Sequence, residues 1–369
     1  MRSIRVGDLA GSRRRMGSMK RLALVLAAAA AVALPGAVRA AACSPLNCAA
    51  SQFTLAHGTL LGFRSMVNKP VTVVDLKTGA FRWRVPAGLV GGNLLVHQDQ
   101  RKLVWYDASR GVRLYDAALP SVEYSLAGVS QNGTRALAFS IVGTGTKAAI
   151  LSRHGERTIA LPGKQWQFDA LRGNNLFLIK YLPLGGYQVR LVHVGSGKLE
   201  QRPLKDPHES GTIWGSPFSR LSSADGRYVF TLYIGSNGGS MVHELDLKNA
   251  TARCIDLPGT GDYGSATTTA LLLSRDQRTL WAVSPGYGRV VGIDVRTRKV
   301  STASRLSLPY WNVASGTSAA LAPDGRHLAL ANNEEVAIIG LAKGTVMQRG
   351  KAKAIALGWS PGGKLWKLT

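Results

Sequence analysis

The stretch Asp225-Gly226-Arg227-Tyr228-Val229-Phe230-Thr231-Leu232-Tyr233 reads as a tight turn feeding a strand. The chain repeats it at Asp324-Gly325-Arg326-His327-Leu328-Ala329-Leu330-Ala331. Asp-Gly makes a turn because the carboxylate can bond nearby amides and glycine accepts a positive φ. A second pattern alternates with the first: an apolar strand ending in a short polar turn, as in Val73-Val74-Asp75-Leu76-Lys77-Thr78-Gly79. Copies of the second pattern align at Asp75, Asp116, Leu151, His193, Asp246, Asp294 and Gly340. The first-pattern turns fall near Asp99, Asn132, Asn174, Asp225, Asp276, Asp324 and Gly362. Both sets give seven.

Two hairpins per unit of about 40–45 residues are the mark of a β-propeller. The sequence therefore predicts an all-β, seven-bladed ring. Its strands are near-continuous apolar runs, as sheets covered on both faces require. The chain opens with a second-pattern hairpin (Val71–Val85) and ends with a first-pattern hairpin (Ile355–Leu368), so the N- and C-terminal strands are expected to share one blade and close the ring. That closure would remove two exposed sheet edges. A further strand within 53–65 has no assigned place in this scheme.

Lys20-Arg21, the apolar run Leu22–Leu34 and the small residues ending at Ala40 form a secretory signal, with residues 1–40 removed after Ala40. The start could be Met1 or Met19. Ser12-Arg13-Arg14 leaves twin-arginine export open beside the general route. Residues 41–52 form a short segment in which Cys43 and Cys48 are expected to pair, and 53–369 form a single propeller domain. A lipid anchor on Cys43 is the lesser alternative. Cys254, inside an apolar strand, is expected as a buried thiol. The location implied is secreted, periplasmic or cell-envelope.

Removal of residues 1–40 leaves 38 Lys and Arg against 20 Asp and Glu, a balance of +18. Such a charge suits an anionic surface, and that reading requires one markedly basic face. Export argues against a specific nucleic-acid role.

The segments Ala322-Pro323-Asp324-Gly325-Arg326-His327-Leu328-Ala329-Leu330-Ala331-Asn332 and Val73–Gly79 resemble repeats of the YVTN/YncE-like and TolB-like exported bacterial propellers. The resemblance covers nearly the whole chain after the signal and implies a binding or scaffold protein of the cell envelope. It carries over no functional residue, because the matched positions are turns and core. The Trp-Asp dipeptide of WD40 repeats is absent.

Three connections are long: Leu204–Leu221, Leu257–Leu271 and Ser307–Ala320. They carry His208, Glu209, Trp214 and Phe218; Asp262 and Tyr263; and Tyr310, Trp311 and Asn312, while a shorter loop adds Trp166 and Phe168. Long loops on a rigid scaffold concentrate function. Aromatics with a few carboxylates and amides suit a glycan or a protein segment. Trp281, Trp359 and Trp366 lie in strands and belong to the core.

No metal, cofactor or nucleophile motif stands out. The seven histidines form no His-x-x-x-His pair, and Gly259-Thr260-Gly261-Asp262-Tyr263-Gly264 precedes a strand, not the helix a dinucleotide fingerprint needs. The sequence thus points to a monomeric, non-enzymatic protein that binds an envelope or extracellular protein or glycan. The rival is a carbohydrate- or lactone-acting enzyme using His208, Glu209 and Asp262 for acid–base work.

Overall fold

The computed structural model describes residues 2–4, 51–64, 68–182, 186–208, 213, 216–234, 239–259, 270–286, 288–308, 318–332 and 334–368. The apolar run Leu22–Leu34, Cys43 and Cys48 lie outside them. The described chain forms seven four-stranded antiparallel blades, spanning 51–85, 89–118, 125–161, 166–199, 216–257, 270–305 and 318–351. We number these blades 1 to 7. An eighth, smaller sheet joins the N-terminal strand Arg2–Ile4 to the C-terminal strands Leu365–Leu368 and Ala356–Trp359.

The molecule is a seven-bladed propeller whose ring is closed by the C-terminal hairpin Ala356–Leu368, with Arg2–Ile4 paired along the edge of that sheet. Eight apolar clusters of buried residues fill the eight junctions of this ring, one between each sheet and the next. The closing sheet packs on blade 7 through Leu357, Trp359 and Leu365. It packs on blade 1 through Ala356, Trp366 and Leu368.

Two details differ from the sequence reading. Val71–Asp75 and Phe81–Val85 do not share a sheet with the C-terminal hairpin. They pair instead with Ser51–Leu55 and Leu60–Arg64, which supply the inner half of blade 1 and give the strand within 53–65 its place. The turn between those two inner strands, Ala56-His57-Gly58, places Ala56 and His57 at φ 47° and 54°. Non-glycine residues rarely adopt that region, and no Asp-Gly marks the turn.

The second difference is in blade 2, whose phase moves by one strand. Its outer turn begins at Asp107, not Asp116, and its inner turn is Gly92-Asn93, not Asp99. Asp107 Oδ1 accepts the amides of Ser109 (2.9 Å) and Arg110 (3.1 Å).

Within a blade the inner three strands are buried, and the outermost alternates with solvent, as in Lys299–Arg305 and Thr345–Lys351. Charged side chains on these outer strands, such as Lys299, Arg305 and Lys351, discourage edge-to-edge pairing. Trp83 on the outer strand of blade 1 donates Nε1–H to Ala108 O (3.0 Å) in the outer turn of blade 2. Gly111 in that turn (φ 72°) lies so close to the Trp83 ring that a Cβ would sit 2.7 Å from it. The closing sheet repeats the device: Trp366 donates to Leu76 O (2.8 Å) over Gly79 (φ 73°).

Because consecutive strands reverse direction, the ring has two unlike faces. The first-to-second and third-to-fourth strand connections form a turn face. The second-to-third and blade-to-blade connections form a loop face.

Candidate functional site

The blade-to-blade connections of blades 4–5, 5–6 and 6–7 span 200–215, 258–269 and 306–317. Those elsewhere, such as 86–88 and 162–165, are a few residues long. One sector of the loop face therefore receives all three long connections. Glu209, Trp214, Asp262, Tyr263, Tyr310, Trp311 and Asn312 fall in them and lie outside the described residues. Phe218 lies in the strand Ser216–Ser222, at a bulge between Pro217 and Ser219.

Trp166, a binding candidate from the sequence, lies in the core between blades. It is 6% exposed within the apolar junction of blades 3 and 4, and its Nε1–H donates to Pro162 O (2.8 Å). A short connection carried it into the core, not onto the surface. Phe168 is half-buried against Gly128. Trp359 and Trp366 are core, as expected, and Trp281 is half-buried.

His208 is exposed, and its amide donates to Asp206 Oδ1 (3.0 Å). Asp206 is buried and also accepts the Cys254 amide through Oδ2 (2.9 Å), with Arg253 at 3.8 Å. Burial alone would raise the Asp206 pKa. The two amides and the Arg253 charge outweigh it and hold the carboxyl below its usual value. Asp206 therefore anchors the first long connection to blade 5, a role the sequence did not disclose. Cys254 itself is half-buried, more exposed than expected.

Beneath this sector, blades 4 and 5 meet over a polar and aromatic floor. A bulge in the inner strand of blade 4 leaves Asp169 unpaired between Phe168 and Ala170. Bulges re-aim side chains; here the carboxylate turns to Arg220 of blade 5, which bonds its Oδ1 and, at 2.5 Å, its carbonyl. Arg220, Thr231, His243 and Cys254 are paired in register across the four strands of blade 5 and so share one face.

His243 is buried and held neutral: desolvation lowers its pKa to about 4, against the opposing field of Asp169. The rings of Tyr181, Tyr187, Tyr233 and His243 follow one another at centroid distances of 6.0, 5.5 and 6.2 Å. Burial pushes the Tyr233 phenol well up. His243 is 4% exposed and packs edge-on against Tyr233, as part of this floor. Among the described residues no three His, Cys, Asp or Glu side chains gather to hold a metal ion. His193, on the rim of blade 4, is half-buried with Nε2 3.1 Å from Glu200 Oε1. His154 sits exposed in its turn.

The chain matches no protein-family profile, and no curated protein resembles it in sequence. Among solved structures it is similar to a hydrazine synthase chain of Kuenenia stuttgartiensis, with a TM-score of 0.50 and 14% identity over 83% of this chain and 99% of that one. It is also similar to apo AztD from Citrobacter koseri, with a TM-score of 0.53 and 10% identity over 86% of this chain and 88% of that one. At such identities the likeness is one of fold, and the resemblance to exported bacterial propellers stands at that level.

Proposed function

We propose that the protein is an exported, non-enzymatic binding or scaffolding propeller whose loop face engages an envelope or extracellular protein or glycan. The observation that supports this is the asymmetry of the ring. Three successive blade-to-blade connections, 200–215, 258–269 and 306–317, start and end on one sector of one face, while every connection of the opposite face is a short turn. Four of the long-connection residues are Trp214, Tyr263, Tyr310 and Trp311, the residue types that dominate binding energetics at interfaces. The N-terminal apolar segment supports export, and the charged region before it fits the same reading.

The test is the triple variant Trp214→Ala, Tyr263→Ala and Trp311→Ala. It is expected to melt with the parent and to lose capture of its partner in glycan-array and envelope-extract binding assays. Undiminished capture by a folded triple variant would remove the loop face from the account.

A further inference from the structure

The turn face is the basic side of the molecule. Its connections hold twelve Lys and Arg against Asp225, Asp276 and Asp324, with Asp75, Asp107, Asp246 and Asp294 folding into them from the strand ends, seven acids in all. The described connections of the loop face hold six Lys and Arg against four acids. Among the described connections, the turn face is thus the more positive of the two.

Its arrangement follows from the repeat. Lys77, Arg110, Arg153, Lys248, Arg296 and Lys343 occupy the outer turns of blades 1, 2, 3, 5, 6 and 7, and all six are exposed. Aspartates that end the strands before four of these turns fold back onto the turn's own amides. Asp75 Oδ1, for example, accepts Lys77 N (2.8 Å) and Thr78 N (2.9 Å), and Asp294 Oδ1 accepts Thr297 N (2.6 Å). Asp246 Oδ1 accepts Lys248 N (3.0 Å) in the same way. The carboxylates are held on the turn amides, with Arg110 also 3.8 Å from Asp107 Oδ2, while the exposed cations stand at the tips. Nearer the axis, Arg275, Arg278 and Arg326 are exposed in the inner turns of blades 6 and 7.

We propose that this face docks the propeller on a phospholipid surface bearing anionic headgroups. Shape decides the class of partner. Equivalent turns of successive blades fall on the same face of the ring, so a flat anionic sheet laid on that face can meet the six rim cations together. A duplex or a single flexible polyanion would cross the ring and meet only a few. Each Lys or Arg beside an anionic bilayer strengthens partition about five-fold at moderate salt, and the effect fades within a Debye length. Six on one face hold the ring to the surface with the loop face directed outward, free for the binding role proposed above; neither role needs the other.

The experiment is co-sedimentation of the protein without the signal residues 1–40 with vesicles of phosphatidylcholine alone or with one third phosphatidylglycerol, over a salt series. Binding is expected only with phosphatidylglycerol and should fall steeply as salt rises. Lys77→Glu, Arg153→Glu, Lys248→Glu and Arg296→Glu together should lower partition more than about a hundredfold, with an unchanged far-UV spectrum and melting point. Lys69→Glu, Arg101→Glu and Lys164→Glu on the loop face should change it by less than a third as much, on a logarithmic scale. The proposal is overturned by equal binding to both vesicle types or by an equal loss from the two variants. Tighter binding to duplex DNA or polyphosphate than to vesicles at the same salt would overturn it too.

Discussion

Asp246 shows how much a single turn residue carries in this fold. Its side chain is 3% exposed; Oδ1 accepts the amides of Lys248 and Asn249, and Oδ2 accepts Asn249 Nδ2 and the Arg227 guanidinium (2.8 Å). Burial would raise its pKa, but Arg227 and the turn amides outweigh burial and hold it low. Asp246→Ala leaves two amides and a cation without their acceptor and is expected to cost about 2–4 kcal/mol by urea denaturation. The same change at the exposed Asp276 should move the urea midpoint less. Both aspartates were visible in the sequence as turn markers, but only the packing separates them.

Residue chemistry also sets the response to pH. His243 has its pKa lowered from 6.5 to about 4 by burial, so the unfolded chain binds a proton there before the folded one does. Its contribution is complete above pH 6.5 and is lost as pH falls towards 4, a difference of roughly 3 kcal/mol. His243→Leu should flatten the stability profile between those values, measured as denaturation midpoints. An unchanged slope would show that another group controls it. Asp75, lowered to about 2 chiefly by Arg82 and the Thr78 amide, acts in a separate window below about pH 4.

At the scale of elements, the sequence disclosed what is periodic and concealed what is not. Asp225-Gly226 and Asp324-Gly325 have glycines at φ 64° and 66°, so the letters and the backbone agree. Ala56-His57 makes a similar reversal without those letters, which hid the inner half of blade 1. Blade 2 was read out of phase because Asp99 and Asp116 imitate turn aspartates, while Gln100 (φ 48°) makes the reversal between its second and third strands. The bulge that frees Asp169 leaves no mark in composition, so the Asp169–Arg220 pair could not be read in advance. Trp166 is buried because a short connection between packed blades offers an aromatic side chain more burial than exposure. Phe177, wholly buried between blades 4 and 5, illustrates the strength of that packing. Phe177→Ala should cost about 3–5 kcal/mol.

At the scale of the molecule, the account rests on the ring being closed. Gln52, from the inner strand of blade 1, accepts the Leu357 amide of the closing sheet through Oε1 (3.0 Å) and donates Nε2–H to Ala319 O of blade 7 (2.5 Å). Three sheets are joined by one side chain. The apolar contacts that seat the closing sheet come from the C-terminal hairpin, as the Trp359 and Trp366 clusters show. Both faces, their unequal connections and the basic rim exist only because the blades form a circle.

The direct test is pulsed electron–electron resonance between spin labels at residues 77, 196 and 343, in a background with Cys43, Cys48 and Cys254 replaced by Ser. These sites lie in the outer turns of blades 1, 4 and 7. In the ring, blades 1 and 7 flank the closing sheet, so the 77–343 distance should be shorter than the 77–196 distance. If the 77–343 distance is the longest of the three, the blades form an open row and the account fails.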